Sequence, residues 1–118
     1  MATIAVAKGS SADTIHARTY IWEALVSGSL DGESIELPDH ADKSVQVVGT
    51  FDTATIALQG SNDGTNWESL SDPQGNAIEM TSTGLKQILE NTRFVRPLVT
   101  SVGGSTDVDV FLHVRANR

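Results

Sequence analysis

At 118 residues the chain has room for one domain and not two, and with no cysteine it has neither disulfides nor thiolate chemistry. A formal charge of −7 excludes a general nucleic-acid coat, and no apolar run approaches the roughly 20 residues that span a bilayer. The charge is uneven: Arg93, Arg96, Arg115 and Arg118 against Asp107 and Asp109 leave residues 91–118 at +2 and the first 90 at −9. Such a split either steers the chain onto an oppositely charged partner or only keeps its surface soluble.

Residues 1–17 are rich in Ala, Ser and Thr and read as a flexible N-terminal arm. Within it Ile4 and Val6 suit a short edge strand, and Gly9–Asp13 a joint. Nothing in Met1–Ser10 resembles a secretory signal. An arm of this kind gains order by pairing with a neighbour.

Strand signals begin at Arg18, and residues 18–118 read as a single β-sandwich domain. "RTYIWEALV" is dense in aromatic and β-branched residues. Strict alternation sets Tyr20, Trp22, Ala24 and Val26 on one face and Ile21, Glu23 and Leu25 on the other, both partly apolar. After the turn "SGSLDG" come "ESIELP", "SVQVVGTF" and "ATIALQG", three further strands. "STGLKQILEN" is the one helical hint, with Leu85, Ile88 and Leu89 at i, i+3 and i+4. In "RFVRPLV" the proline, unable to donate to a ladder, predicts an edge or a bulge. "DVDVFLHVRA" alternates most clearly: Val108, Val110, Leu112 and Val114 against Asp107, Asp109, Phe111, His113 and Arg115. The expectation is an all-β antiparallel sandwich, a jelly roll of about eight short strands with one short helical turn.

Between strands lie two dense turn signals. Asn62, Asp63, Asn66 and Glu68 offer oxygen ligands within seven residues, yet Gly64 follows Asp63 directly and Glu68 comes too early for a calcium loop. Asn and Asp satisfy their own backbone two residues on, and Asp-Gly supplies the positive φ of a tight turn. "DPQG" places Asp72 at the first position, Pro73 at the second and Gly75 where a left-handed residue is needed. Both stretches read as scaffolding.

No catalytic constellation emerges. His16, His40 and His113 have no ligand spacing, and neither a nucleophile elbow, a P-loop nor a dinucleotide fingerprint occurs. No carboxylate pair stands out for acid–base work. The expectation is a protein without enzymatic activity, metal or cofactor.

Gly60–Thr65 before Trp67, Asp72–Asn76, Gly84-Leu85-Lys86-Gln87, Arg96-Pro97 and the closing strand Asp107–Val114 together resemble small tailed-bacteriophage proteins of the head-decoration or capsid-cement type. The resemblance spans about residues 45–116; the first 44 add nothing to it. It implies a β-sandwich that clips onto the outer surface of a virion, made in the host cytoplasm. Its partner would be the major capsid protein, and its copies would form a trimer or a dimer, the trimer favoured; neither nucleic acid nor membrane is implied. Carrying no site signature, it leaves the contact candidates to the residues themselves. Ile4 and Val6 lie in the arm, Phe111 on a face that should be wet, and Arg115 and Arg118 at a chain end free to reach. Two alternatives stand beside it: a carbohydrate-binding or adhesin-like sandwich, since "SNDG-T-W" also occurs in discoidin-like folds, and a phage tail or baseplate component.

Overall fold

A computed structural model describes residues 3–4, 6–8, 17–26, 31–37 and 40–116. Its strands are β1 (Thr3–Ile4), β2 (Val6–Lys8), β3 (Ala17–Val26), β4 (Asp31–Gly32), β5 (Ile35–Glu36), β6 (His40–Thr50), β7 (Thr55–Ser61), β8 (Glu68–Ser69), β9 (Glu79–Met80), β10 (Gly84–Ile88), β11 (Phe94–Thr100) and β12 (Asp107–Ala116).

They form two sheets. Sheet A runs β1-β4-β11-β7-β8, with β5 also on β11 and β9 also on β7; sheet B runs β10-β6-β12-β3-β2. β4 and β5 act as one interrupted strand beside β11, and β8 and β9 as another beside β7. The chain then passes from β3 in B to β4/β5 in A, to β6 in B, to β7 and β8/β9 in A, to β10 in B, to β11 in A, and ends on β12 in B. That is the eight-stranded order of a jelly roll. Every pairing is antiparallel except β1 with β4.

Alternation sorts the core. The inward residues of β12, Val108, Val110, Leu112 and Val114, are fully buried and meet Val45 and Val47 of β6 from the same sheet. Sheet A contributes Ile56, Leu58, Val95 and Val99, and Leu70, Ile78 and Met80 close one side. Trp22 is wholly buried, and its Nε1 donates to the Glu33 carbonyl at 2.9 Å, so the indole N–H keeps a partner inside.

Three expectations change. Leu25 joins Trp22 in the core instead of facing the other way. A bulge makes the β3 partners of Val110 and Val108 Trp22 and Leu25, three residues apart rather than two, and so turns Leu25 inward. The expected helical turn at 84–89 is absent: the segment is β10, paired residue for residue with β6 from Gly84↔Val47 to Ile88↔Lys43. No helix occurs among the described residues. Pro97, expected at an edge or bulge, lies in an inner strand, opposite Leu58 of β7. On its other side β4 pairs Leu98 and β5 pairs Phe94 and Val95, so the proline sits where that strand is interrupted and no ladder donor is required. Gly32 has no side chain to meet the Pro97 ring and the Trp22 indole, which a Cβ there would strike.

Both predicted turns form. Asp72 Oδ1 accepts the Gln74 and Asn76 N–H groups at 3.0 Å each, and Gly75 has φ 88°. At the opposite end the 51–53 turn and the 101–106 loop lock together: Thr106 Oγ1 donates to the Phe51 carbonyl, and Asp52 Oδ2 accepts the Ser105 N–H. Asp52, Thr53 and Ser101 are held there at positive φ.

Candidate interaction face

The outward side chains of sheet B form the broadest face with a chemical pattern. Register aligns Leu85 of β10, Gln46 of β6, Phe111 of β12 and Ile21 of β3 in one row across the sheet. Leu85 is 66% exposed, and Phe111 and Ile21 are half-buried. The next row is polar: Gln87, Ser44, His113 and Thr19. Within it Thr19 Oγ1 and His113 Nδ1 share a hydrogen bond of 2.9 Å. Beyond it Arg115 reaches Asp42 at 3.4 Å. Asp42, Ser44, Leu85, Gln87, His113 and Arg115 line an open groove of about 610 Å³ between β10, β6 and β12.

Charge is graded along β12. Asp107 and Asp109 occupy one end of its outer face, Phe111 the middle, and His113 and Arg115 the other end. Glu23, exposed on β3 beside the bulge, adds to the acidic end.

The 61–66 turn consumes its own oxygens. The Asp63 carboxylate accepts the backbone N–H groups of Thr65 and Asn66, the Asn66 amide and the Ser61 hydroxyl. These donors hold its pKa far below the usual carboxylate range. Asn62 Oδ1 accepts the Arg93 N–H at 3.0 Å, tying the turn to the start of β11. With Gly64 at φ 78°, the geometry is that of a self-satisfied turn rather than a calcium loop. Among the described residues no three His, Asp or Glu side chains converge to hold a metal ion.

Neither tryptophan forms an open platform for sugar. Trp22 is core, and the half-buried Trp67 carries the Arg96 guanidinium over its ring at 4.2 Å. A buried polar group closes one end of the sandwich: Lys43 Nζ donates to Asn91 Oδ1 at 2.8 Å, and Glu90 Oε1 accepts the Ser71 N–H. Burial lowers the Lys43 pKa although Asp42 and Glu90 oppose the shift. These contacts join β6 to the link after β10, and that link to the stretch between β8 and β9, and serve the fold.

Of the contact candidates drawn from sequence, Phe111 and Arg115 come together on the outer face of sheet B. Ile4 stands at the register of Gly32 in sheet A and Val6 at that of Trp22 in sheet B; their side chains, and Arg118, lie outside the described residues. Leu85 was the residue sequence reasoning missed. Read as a strand, "GLKQI" sets Leu85 on the same side as Gln87, and that lone leucine was the available signal.

No family model matches the chain, and no curated protein matches it. Among solved structures it is similar to the SPBc2 prophage-derived protein YomS, with a TM-score of 0.60 at 16% identity over 89% of this chain and 98% of that one. A second is the K1 cleaved adhesin domain of Lys-gingipain from Porphyromonas gingivalis W83, with a TM-score of 0.43 at 11% identity over 96% and 91%. At such identity the likeness to YomS is one of fold: this chain shares the β-sandwich of YomS over nearly the whole of both molecules.

Proposed function

We propose that the chain is a non-enzymatic structural component of a phage particle, a homo-oligomer that binds the outer surface of the capsid and cements the shell. The observation that carries the reading is the row Leu85–Gln46–Phe111–Ile21, three of its four side chains apolar on a sheet face where solvent alone would favour polar ones. Support comes also from the sequence resemblance over residues 45–116 and from a fold shared with a prophage-derived protein.

The mechanism is mechanical. Each copy covers surface on neighbouring capsid subunits, and many modest contacts add through avidity. A protein that binds the expanded shell and not its precursor stabilises the expanded state by mass action. The test is co-sedimentation of purified protein with capsids that lack it, followed by heating of the shells. Saturable binding with a raised disruption temperature is expected. Protein left in the supernatant would overturn the capsid reading, and binding to isolated tails or to a glycan array would put another in its place.

A further inference from the structure

We propose that the outer face of sheet B packs against the same face of a second copy, around a two-fold axis running along the row Leu85–Gln46–Phe111–Ile21. The inference rests on the reading of the chain as a homo-oligomer and deepens it: this face joins the two copies, and contact with a capsid falls to surfaces that the dimer leaves outside.

A two-fold axis in the plane between two sheets and perpendicular to the strands reverses strand direction but keeps strand order. Each strand then faces its own copy, antiparallel, and the row on the axis meets itself: Leu85 on Leu85, Phe111 on Phe111, Ile21 on Ile21. Residues equally spaced on either side of the row exchange places. Along β12, Asp109 faces the partner's His113, and Asp107 faces the partner's Arg115.

The charge pattern distinguishes this axis from the other in-plane two-fold that brings the same faces together. Carboxylates at 107, 109 and 23 mark one end of the face, while Arg115 and His113, with Asp42 beside the arginine, mark the other. A two-fold axis parallel to the strands would keep strand direction and lay the acidic end on the acidic end and Arg115 on Arg115. The two-fold perpendicular to the strands brings opposite signs together twice, as an isologous interface requires. Aligned sheets cross at about 30°, which displaces facing groups two residues from the axis by about 3 Å and those four residues from it, Asp107 and Arg115, by about 7 Å, within the combined reach of an arginine and an aspartate.

Size is adequate. β3, β6 and β12, each roughly 30 Å long, and the five-residue β10, roughly 17 Å, spaced about 4.8 Å apart, present a projected face on the order of 500 Å². Its accessible area is larger, in the range of the roughly 800 Å² per partner of a standard stable interface. The groove between β10, β6 and β12 receives the partner's outward side chains of the same three strands.

The test is the solution mass of the full chain by light scattering, with three charge variants. The wild type is expected at twice the chain mass. Asp107→Arg and Arg115→Asp each place like charges across the axis and should weaken association at least about tenfold. The double variant Asp107→Arg with Arg115→Asp restores opposite signs and should recover the dimer. The Arg115–Asp42 pair within one chain is exposed and contributes little to folding, which circular dichroism checks in each variant. A monomeric or trimeric wild type would overturn the proposal. So would a dimer indifferent to the single reversals, or singles that dissociate without rescue by the double. The outcome is separable from the capsid assay: a dimer that ignores capsids sinks the capsid reading and leaves this interface standing, and a monomer that pellets with them sinks this interface and the homo-oligomer but leaves capsid binding standing.

Discussion

The guanidinium carbon of Arg96 lies 4.2 Å from the centroid of the Trp67 ring, and Nε of the same arginine donates to Gln59 Oε1 at 3.0 Å. The hydrogen bond fixes the plane of the cation over the indole, and it links β11 to β7 along the register Arg96↔Gln59. Removing the side chain with Arg96→Ala should cost about 1 kcal/mol and wet the ring. The checks are urea unfolding and tryptophan emission, expected to shift to the red. Arg96→Lys keeps charge but not the planar stack and should fall between wild type and alanine.

Acid should find the 61–66 turn through Asp63. Its folded-state pKa lies below the unfolded value of about 3.9, so its contribution is fully present above that pH and fades as pH falls toward the folded value. Asp63→Ala removes the contribution. The stability gap between wild type and variant should stay constant from pH 7 to about 5, then narrow as the solution is acidified further. Urea midpoints measured from pH 7 to below 3 decide it; a gap independent of pH would show that the turn does not depend on the ionised carboxylate.

Neighbouring apolar residues at the end of β10 should behave as a strand dictates. Ile88 is 3% exposed and points into the core, whereas Leu89 is 54% exposed. Ile88→Ala should cost about 2–5 kcal/mol, and Leu89→Ser should change stability by less than about 0.5 kcal/mol. A helix with both on one buried face would make the two costs similar. Denaturant midpoints of the two variants separate these cases.

Glycine is required near the end of β6 and optional in the 101–106 loop. Gly49 sits at φ 134°, and a Cβ there would strike the Asp107 carbonyl and lie 2.9 Å from the Val108 Cα. Gly49→Ala should cost about 1–3 kcal/mol, with a fall in Tm of several degrees. Gly104 has nothing within 4 Å of such a Cβ, and Gly104→Ala should be tolerated. Thermal melts of the pair are the measurement.

Sequence was most legible where one face of a strand is wet and the other dry. Asp107–Arg115 alternates because β12 lies at the centre of sheet B with core on one side only, and every inward residue named from the pattern is buried. The turns at 61–66 and 72–76 were legible because their geometry is local: Asp63 and Asp72 bond backbone groups two to four residues on. What failed was non-local. Three apolar residues in "LKQIL" satisfy a helical period as readily as a strand, and only pairing with β6, some forty residues earlier, selects the strand. The bulge that turns Leu25 inward is set by β12, more than eighty residues away. The interaction face was half legible for the same reason. Phe111 stood out on its own strand, but its neighbours Ile21, Gln46 and Leu85 come from three others that only register brings alongside.

The position of β12 has a consequence for biogenesis. The strand flanked by β3 and β6 is the final one in sequence, residues 107–116. While the chain emerges from a ribosome, β3 and β6 have no strand to lie between them, and Trp22, Leu25, Val45 and Val47 have no finished interior to enter. Sheet B closes only once residues 107–116 have been made, so its assembly is dominated by distant contacts, a topology associated with slow folding. A nascent chain of this design needs protection until residue 116 has emerged, and a stop codon ahead of residue 107 would leave sheet B without its middle strand.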